Sequence, residues 1–429
     1  MLVIGAAPTG LGVAYRLYQL QNNNIDIAKN VELIVLEKEL SPGGLSRTVM
    51  DENGFFWDMG GHVTFDHNLP YYKEAICWAI SEWNILTRSC QVDISYMFNE
   101  KGLHLVPYPV QYAERIPPKN FDDWIEEHFG PTLKNYFFKQ YTQKVWTVKP
   151  DQMNPVWIGT RVAKIPYEKL EEFCAVNEKD LKEIDLGWGP NARFIGFILD
   201  ASQVINIDAK RKLITYENER YGKVKLNYDM LINTGPIDQL IKYTKLCQEL
   251  DLKYNKVFVI GVGLIKPMNR VAEQFTWLYF PENTVPFYRV TFLSRYGEMT
   301  PDNDKYWSIL CECAYDINDN SISEEEIKEK TIECLIRKSI ISREQIVSLF
   351  STLLPYGYPI PTVNRDNELT RAHQILEKHE IYSRGRFGGW KYEVANQDHC
   401  FMQGKEIIDR LLLGKPEIIY KNGLSTCQG

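Results

Sequence analysis

The sequence lacks the features that would indicate a membrane or secreted protein. No run approaches the roughly 18 uninterrupted apolar residues that a membrane-spanning helix needs, so we predict no membrane association. Asn-x-Ser/Thr glycosylation sites are absent, and we see no secretory leader, because Met1 leads almost directly into a predicted buried strand. The nine cysteines are scattered, and only Cys311 and Cys313 are close enough to share one face of a strand, where we expect core residues. We therefore expect a cytoplasmic protein.

An excess of basic residues is also absent. The chain has 49 Lys and Arg against 56 Asp and Glu, and the resulting net charge of −7 disfavours nucleic acid as a partner. Hydrophobic residues make up 44% of the chain and charged residues 24%, as in ordinary globular proteins. Because 429 residues exceed what one hydrophobic core holds, we expect two or three domains.

Glycine is concentrated in three turns within the first 61 residues, around Gly5–Gly12, Gly43–Gly44 and Gly60–Gly61. The first turn follows an apolar strand and opens an amphipathic helix, an arrangement that lets backbone N–H groups approach a pyrophosphate. The next predicted strand, residues 31–37, ends in Glu37, 27 residues after Gly10. Its carboxylate can accept hydrogen bonds from the hydroxyls of an adenosine ribose. Together these features predict an extended dinucleotide cofactor such as FAD.

The rest of the sequence divides into regions that differ in their predicted secondary structure. Residues 118–180 are predicted to be mostly helical, and residues 255–315 carry the aromatic and β-branched runs of an antiparallel sheet. Ser323 and Glu326 form a capping box before a surface helix, and residues 406–413 form a final helix of the nucleotide domain. We predict an α/β protein with a discontinuous doubly wound FAD-binding domain, a helical insert and an antiparallel substrate-binding sheet. The predicted order is a first FAD-binding segment (1–66), a largely helical insert that includes a strand segment at 90–110 (67–182), a second FAD-binding segment (183–254), the antiparallel substrate domain (255–378) and a third FAD-binding segment (379–429).

Twelve blocks, in an unbroken order, resemble the eukaryotic type of the UDP-galactopyranose mutase family, which is related to the amine oxidase superfamily. The most specific block is SRGRFGGWKYEVANQDHCFM at 383–402. The others are residues 5–12, 43–48, 58–65, 106–111, 144–146, 157–163, 188–191, 277–281, 286–289, 306–309 and 357–362.

This resemblance implies a flavoenzyme that interconverts UDP-galactopyranose and UDP-galactofuranose without net redox change. The reduced flavin N5 attacks the anomeric carbon as UDP leaves, and the sugar ring opens and re-closes before UDP returns. The implied cofactor is reduced FAD, with NADPH as reductant, and the implied partner is a UDP-sugar. A homo-oligomer is left open.

The resemblance also implies a set of site residues. Those assigned to catalysis are His62, beside the isoalloxazine, and the diphosphate arginines Arg161 and Arg289. Those assigned to the substrate are Tyr279, Tyr358 and Tyr392 at the diphosphate, Tyr108, Gln111 and Trp146 around the uracil or the sugar, and Asn191 on the sugar side. Those assigned to the cofactor are Gly5, Thr9, Gly10, Glu37, Lys38, Gly44, Leu45, Arg47, Gly60, Gly61, Arg386, Asn396 and Gln397.

The sequence departs from the family at two positions that bear on the cofactor. Ala7 occupies the place of the middle glycine of the first turn, where we expect weaker FAD binding. After Phe194 the family continues into a Gly-Gly-Thr-Gly-Gly turn and a helix, which this chain lacks. The departures leave two alternatives to an active mutase. One is a catalytically inactive flavin and UDP-sugar binder, and the other is an amine-oxidase-like flavoprotein that transfers hydride.

Overall fold

A computed structural model describes residues 1–61, 63–64, 67–80, 84–87, 89–98, 102–107, 120–126, 134–158, 184–187, 198–199 and 201–422. The α-helices of these residues are α1 Pro8–Asn22, α2 Pro70–Ala79, α3 121–126, α4 Lys139–Trp146, α5 Ile237–Thr244, α6 Arg270–Gln274, α7 Glu324–Arg337, α8 Arg365–Glu377, α9 Gln397–Leu413 and α10 Ile419–Asn422.

The strands are β1 Leu2–Ile4, β2 Ile34–Leu36, β3 Thr48–Met50, β4 Phe56–Asp58, β5 Asn84–Thr87, β6 Cys90–Asp93, β7 Leu105–Pro107, β8 Ile184–Gly187, β9 Ile198–Leu199, β10 Ser202–Asp208, β11 Leu213–Asn218, β12 Gly222–Asn227, β13 Leu231–Asn233, β14 Lys253–Ile265, β15 Trp277–Tyr279, β16 Arg289–Thr291, β17 Tyr306–Asp316, β18 Ile346–Leu354, β19 Pro359–Ile360 and β20 Ile381–Ser383.

One sheet is parallel and draws its strands from three distant regions of the chain. Its order is β20-β13-β1-β2-β9. Alternate side chains of each strand point to opposite faces, and both faces are buried. One face packs against α1 and α9, and the other against α5, α8 and the three-stranded sheet β10-β11-β12. This arrangement confirms the discontinuous, doubly wound domain predicted from the sequence.

The second large sheet is built on β14 and β17, which run antiparallel over 11 paired positions. Its order is β18-β14-β17-β16-β15-β6-β7, with β19 beside the start of β14. All its pairs are antiparallel except β15 and β6. The predicted antiparallel sheet is therefore confirmed, but β6 and β7, which belong to the predicted helical insert, extend its edge.

Two glycines of β14 let the predicted nucleotide-binding half, which contains the parallel sheet, dock closely on the antiparallel sheet. A Cβ at Gly261 would lie 2.4 Å from the Trp57 ring, and one at Gly263 would lie 2.8 Å from the Phe55 ring. Both rings are almost fully buried and come from the segment that contains β4. Because β4 leads directly to Gly60 and Gly61, this docking brings the third glycine turn to the face of the antiparallel sheet.

Several local predictions agree with the structure, whereas some boundaries differ. The capping box at Ser323 precedes α7, and Cys311 and Cys313 are both buried in the core. The helix predicted at 406–413 is part of α9, which begins at Gln397, because Asn396 has extended backbone angles at its N-cap. Within the predicted helical segment 118–180, the described residues include α3, α4 and a π-helical turn at Lys134–Phe138. The predicted domain limits stay a prediction.

Candidate active site

The first glycine turn forms a cradle that excludes side chains. A Cβ at Gly10 would lie 2.1 Å from the Gly5 carbonyl oxygen, and Gly5 itself has a φ of +97°. Ala7 is the N-cap of α1 and offers no side-chain cap to the first turn of the helix. The backbone amides there can therefore bind an anion, which the dipole of a 15-residue helix also favours.

The methyl group of Ala7 points at the second glycine turn. Ala7 has a φ of −84°, which alanine adopts without strain, and a Cβ at Gly44 would lie 2.8 Å from the Ala7 Cβ. The missing side chain at Gly44 therefore makes room for the methyl group. This packing gives a physical reason why a non-glycine residue is tolerated at position 7.

The end of β2 supplies the acidic side of the cradle. Glu37 is buried, and its two carboxylate oxygens accept hydrogen bonds from the backbone N–H of Ala6 (2.8 Å) and of Glu39 (3.0 Å). Lys38 and Arg47 both lie beside the Glu39 carboxylate, at 3.3 and 3.6 Å. Leu45 packs against buried hydrophobic clusters of both halves of the protein. The first glycine turn thus holds the Glu37 carboxylate, and both were predicted to bind the cofactor.

The C-terminal block closes the cradle from the other side. Gly385 has a φ of +93°, and a Cβ there would lie 2.5 Å from the Thr9 hydroxyl oxygen. The Gly385 N–H donates to the Gln403 side chain of α9 at 2.8 Å. Asn396 and Gln397 are the N-cap and first residue of α9, so both lie at the strand-to-helix end of the same block.

The antiparallel sheet carries a row of three polar side chains across adjacent strands. In register, Tyr279 of β15 pairs with Arg289 of β16, which pairs with Glu312 of β17. The Glu312 carboxylate accepts Arg289 N–H groups on both oxygens, from Nε at 2.5 Å and from Nη2 at 2.8 Å. Burial would lower the pKa of the Arg289 guanidinium, but the Glu312 charge outweighs it and raises that pKa. The guanidinium is therefore charged at every physiological pH.

A second group of predicted residues forms an aromatic wall. The Trp146 ring lies 5.4 Å from the Tyr358 ring and 4.6 Å from the Tyr392 ring, both edge-on. The Arg386 guanidinium lies over the same two tyrosines, at 5.0 and 5.8 Å. Its Nη groups donate to the carbonyls of Gly357 and Ala395, whereas its buried Nε has no hydrogen-bond partner among the described residues. A buried donor without a partner is rare in proteins, and an acceptor on a bound ligand would satisfy it.

Tyr288 and Gly61 connect these groups to one another. The Tyr288 hydroxyl donates to Glu312 at 3.0 Å and lies 3.1 Å from the Tyr358 hydroxyl. Burial and the Glu312 charge raise the pKa of Tyr288 far above its ordinary value, so the phenol stays protonated. The Gly61 carbonyl oxygen lies 3.4 Å from Arg289 Nη2. The predicted cofactor loop and the predicted diphosphate arginine are therefore in contact.

Not every predicted residue can be placed. His62, Tyr108, Gln111, Arg161 and Asn191 lie outside the described residues. Gly60 has a φ of +119°, a left-handed conformation that favours glycine. The Tyr279 ring packs edge-on against Tyr141 at 5.8 Å.

Three functional candidates were missed by the sequence reasoning: Glu312, Asn255 and Asp398. Glu312 is the only charged residue in the buried portion of β17, and that isolation was a usable signal. Asn255 is fully buried, donates to the Val145 carbonyl of α4 and accepts the Tyr358 N–H, so it fixes the aromatic wall. Nothing in the sequence around Asn255 indicates this role.

A solved structure of a reduced UDP-galactopyranose mutase is similar over nearly the whole chain. The two share 31% sequence identity with a TM-score of 0.84, over 99% of this chain and 96% of the other. The chain belongs to the UDP-galactopyranose mutase family.

The other similarities are more limited, and those to the two solved structures named below show the fold alone. Residues 8–76 match the family of flavin containing amine oxidoreductases, which supports a flavin cofactor in the parallel-sheet domain. A protein from Exiguobacterium sp. 255-15 named as a protoporphyrinogen oxidase has 14% identity and a TM-score of 0.69, over 96% of this chain and 98% of its own. A putrescine oxidase bound to putrescine has 10% identity and a TM-score of 0.60, over the same shares. Within the described ranges, no helix has both the length and the apolar character needed to cross a bilayer.

Proposed function

We propose that this chain is a UDP-galactopyranose mutase, which interconverts UDP-galactopyranose and UDP-galactofuranose with reduced FAD. The observation that carries the proposal is the contact between Arg289 and Gly61. It joins the row of Tyr279, Arg289 and Glu312, in which the arginine would bind an anion, to the glycine loop of the nucleotide-binding half. A site that brings a sugar diphosphate to a flavin requires this juxtaposition.

The residues of the cradle fit FAD. Gly5, Gly10 and Gly44 leave no room for a Cβ, and the uncapped first turn of α1 suits the cofactor pyrophosphate. Glu37 would accept hydrogen bonds from the ribose, and Asn396 and Gln397 would face the flavin end. When bound and reduced, the flavin supplies the nucleophile for the anomeric carbon.

The chain's own residues would bind and orient the substrate. Arg289 would receive the diphosphate on the edge of its guanidinium that Glu312 does not occupy, and the protonated Tyr358 would donate a hydrogen bond. Arg386 would offer its Nε at the boundary between cofactor and substrate. Trp146 and Tyr392 would exclude water from one side of the site.

The decisive experiment is an anaerobic assay of protein saturated with FAD. With dithionite or NADPH as reductant, UDP-galactofuranose should be converted to UDP-galactopyranose, measured by anion-exchange chromatography. The same protein with oxidised FAD is the matched control and should be inactive. Tight flavin and UDP binding without conversion would support the inactive binder instead. In a separate aerobic assay, peroxide formation with an amine by a protein that converts no sugar would support an oxidase.

A further inference from the structure

In the loop that connects β4 to α2, residues 59–69, the described residues (59–61, 63–64 and 67–69) lie between the two halves of the protein. Its beginning contacts the antiparallel sheet: a Cβ at Gly61 would lie 2.4 Å from the Thr291 hydroxyl oxygen, and Val63 is buried against Leu86 and Trp277. Its later residues contact the start of α9, in the nucleotide-binding half. The position of Gly61 therefore depends on how both ends of the loop are held.

The contacts with α9 are made by side chains that are largely buried. The Thr64 hydroxyl donates to the Gln397 side-chain oxygen at 2.7 Å, and Thr64 is fully buried. One oxygen of the Asp398 carboxylate accepts the His67 backbone N–H at 3.1 Å and lies 2.7 Å from His67 Nδ1. The other oxygen accepts the N–H of His399 at 2.8 Å. Asp398 is fully buried, so these contacts, rather than water, stabilise its carboxylate.

The charge on Asp398 is well compensated. Burial alone would raise the pKa of this carboxyl, but the hydrogen bond from His67 and the neighbouring His399 outweigh it and hold the pKa below its ordinary value. The first turn of a 17-residue helix also favours a negative side chain. Asp398 is therefore an ionised acceptor, and hydrogen bonds to charged groups are stronger than those between neutral groups.

The same cluster has the donor set of a metal site, but its geometry disfavours one. His67, Asp398 and His399 offer ligand atoms within 4.8 Å of one another. However, the two imidazole rings are stacked, with centroids 4.5 Å apart and planes 22° apart. Lone pairs lie in the ring planes, so those of nearly parallel rings do not converge on one ion. The cluster is therefore better described as a hydrogen-bonded group than as a metal site.

We infer that Asp398 is a positioning residue, which latches the 59–69 loop to α9 through His67 and thereby fixes Gly61 between cofactor and substrate. This inference rests on the proposed function for its consequence in catalysis. The loop contains the glycine pair Gly60–Gly61 and so has much conformational freedom to lose. A buried charge that accepts a backbone N–H from the far end of the loop restricts that freedom.

The test uses the full chain with FAD and compares Asp398→Asn with Asp409→Asn. Asn keeps the size of the side chain but removes the charge. Asp409 is the matched control, because it is almost as buried on the same helix and pairs with Arg16 and Lys405, neither of which belongs to the loop. Hydrogen exchange of the peptide spanning residues 59–69, the midpoint potential of the flavin, and kcat and KM for UDP-galactofuranose are measured.

For Asp398→Asn we expect exchange in the loop to be about tenfold faster, as for the loss of one charged hydrogen bond. The flavin potential should shift, and kcat should fall about 10- to 100-fold with little change in KM, since a small misplacement acts mainly on the reacting geometry. Asp409→Asn should lower stability without changing the exchange of the loop or the flavin potential. If both variants give the same loop exchange and potential, the inference is overturned.

His67 provides a second pair of variants in case Asp398→Asn folds poorly. The His67 side chain is about one-third exposed, so substitutions there are tolerated by the core. His67→Gln retains a donor for Asp398 and should keep slow exchange, whereas His67→Ala should loosen the loop. Equal exchange in these two variants would also overturn the inference. A wild-type protein that binds FAD but converts no sugar would refute the proposed function alone, because the exchange and potential measurements still test the latch.

Discussion

Arg289 and Glu312 are cross-strand neighbours that form a two-point ion pair within the predicted substrate site, in which Glu312 is buried and Arg289 is partly exposed. The pair reconciles two interpretations of Arg289, as a ligand for the diphosphate and as a structural cation. Glu312 holds one edge of the guanidinium, and the remaining Nη1 has no hydrogen-bond partner among the described residues. The arginine is therefore fixed before any ligand binds.

This pairing predicts that Arg289→Ala has two separable effects. Removal of the guanidinium should weaken UDP binding by about 2–4 kcal/mol. It should also destabilise the fold by about 3–5 kcal/mol, because the Glu312 charge is left buried without a partner. Urea unfolding and UDP titration by calorimetry measure the two effects.

The double variant Arg289→Ala/Glu312→Gln is the control for that experiment. It should recover most of the lost stability, since no buried charge remains, but none of the UDP affinity. Wild-type UDP affinity in either variant would show that Arg289 is only structural.

Gly10→Val should abolish flavin binding. The closest approach of even a Cβ at Gly10 is 2.1 Å to the Gly5 carbonyl, so the turn must open. The purified variant should be colourless under saturating FAD. Gly102→Ala is a suitable control, because nothing lies within 4 Å of a Cβ at that position. Yellow Gly10→Val protein would contradict the cradle.

Ala7 and Gly44 should be energetically coupled. Gly44→Ala should weaken FAD binding, because the new Cβ would lie 2.8 Å from that of Ala7 and Gly44 has a φ of +56°. Ala7→Gly in the same chain should recover some of the loss by removing the clash, while the strained φ remains. FAD titration of both single variants and the double variant measures the coupling, and additive effects would show that the two positions do not touch.

Lys144 should make stability depend on pH. Burial lowers the pKa of its ammonium group from 10.5 to about 7, and the group donates to the carbonyls of Phe280 and Glu282. Between these two values the unfolded chain binds more protons than the folded one, so the free energy of unfolding rises with pH across this window. The destabilisation caused by Lys144 is therefore complete below about pH 7 and decreases as the pH rises above it. The Lys144→Met variant should lack this contribution to the slope. Urea midpoints of the wild type and of Lys144→Met, measured from about pH 6.5 to 9, test this prediction. If the two midpoints change in parallel with pH, Lys144 does not make the predicted contribution.

The predicted loss of the glycine turn after Phe194 should slow the enzyme. In the structure, β9 pairs with β2 at the edge of the parallel sheet, and Ala201 begins the approach to β10 with a φ of +50°. An inserted Gly-Gly-Thr-Gly-Gly turn and helix should therefore be placed before Ile198, where it leaves β9 intact. We expect the insertion to raise the turnover of UDP-galactofuranose by the reduced protein. Rapid turnover by the chain as it stands would show that the turn is dispensable.

The sequence by itself determined the features whose causes are local. Gly5 and Gly44 have positive φ angles, Gly10 closely approaches the Gly5 carbonyl, and Glu37 directly follows its strand beside the same turn. The order of strands and helices also follows from local periodicity, which is why the doubly wound domain and the antiparallel sheet could be predicted.

The tertiary structure decided which charges meet. Glu312 lies opposite Arg289 only because of the register of β16 and β17, and a shift of one residue would turn its side chain to the other face. Asp398 meets His67 across 331 residues of sequence, because α9 packs beside a loop near the N-terminus. A buried charge requires a partner, but no local pattern specifies which distant residue supplies it.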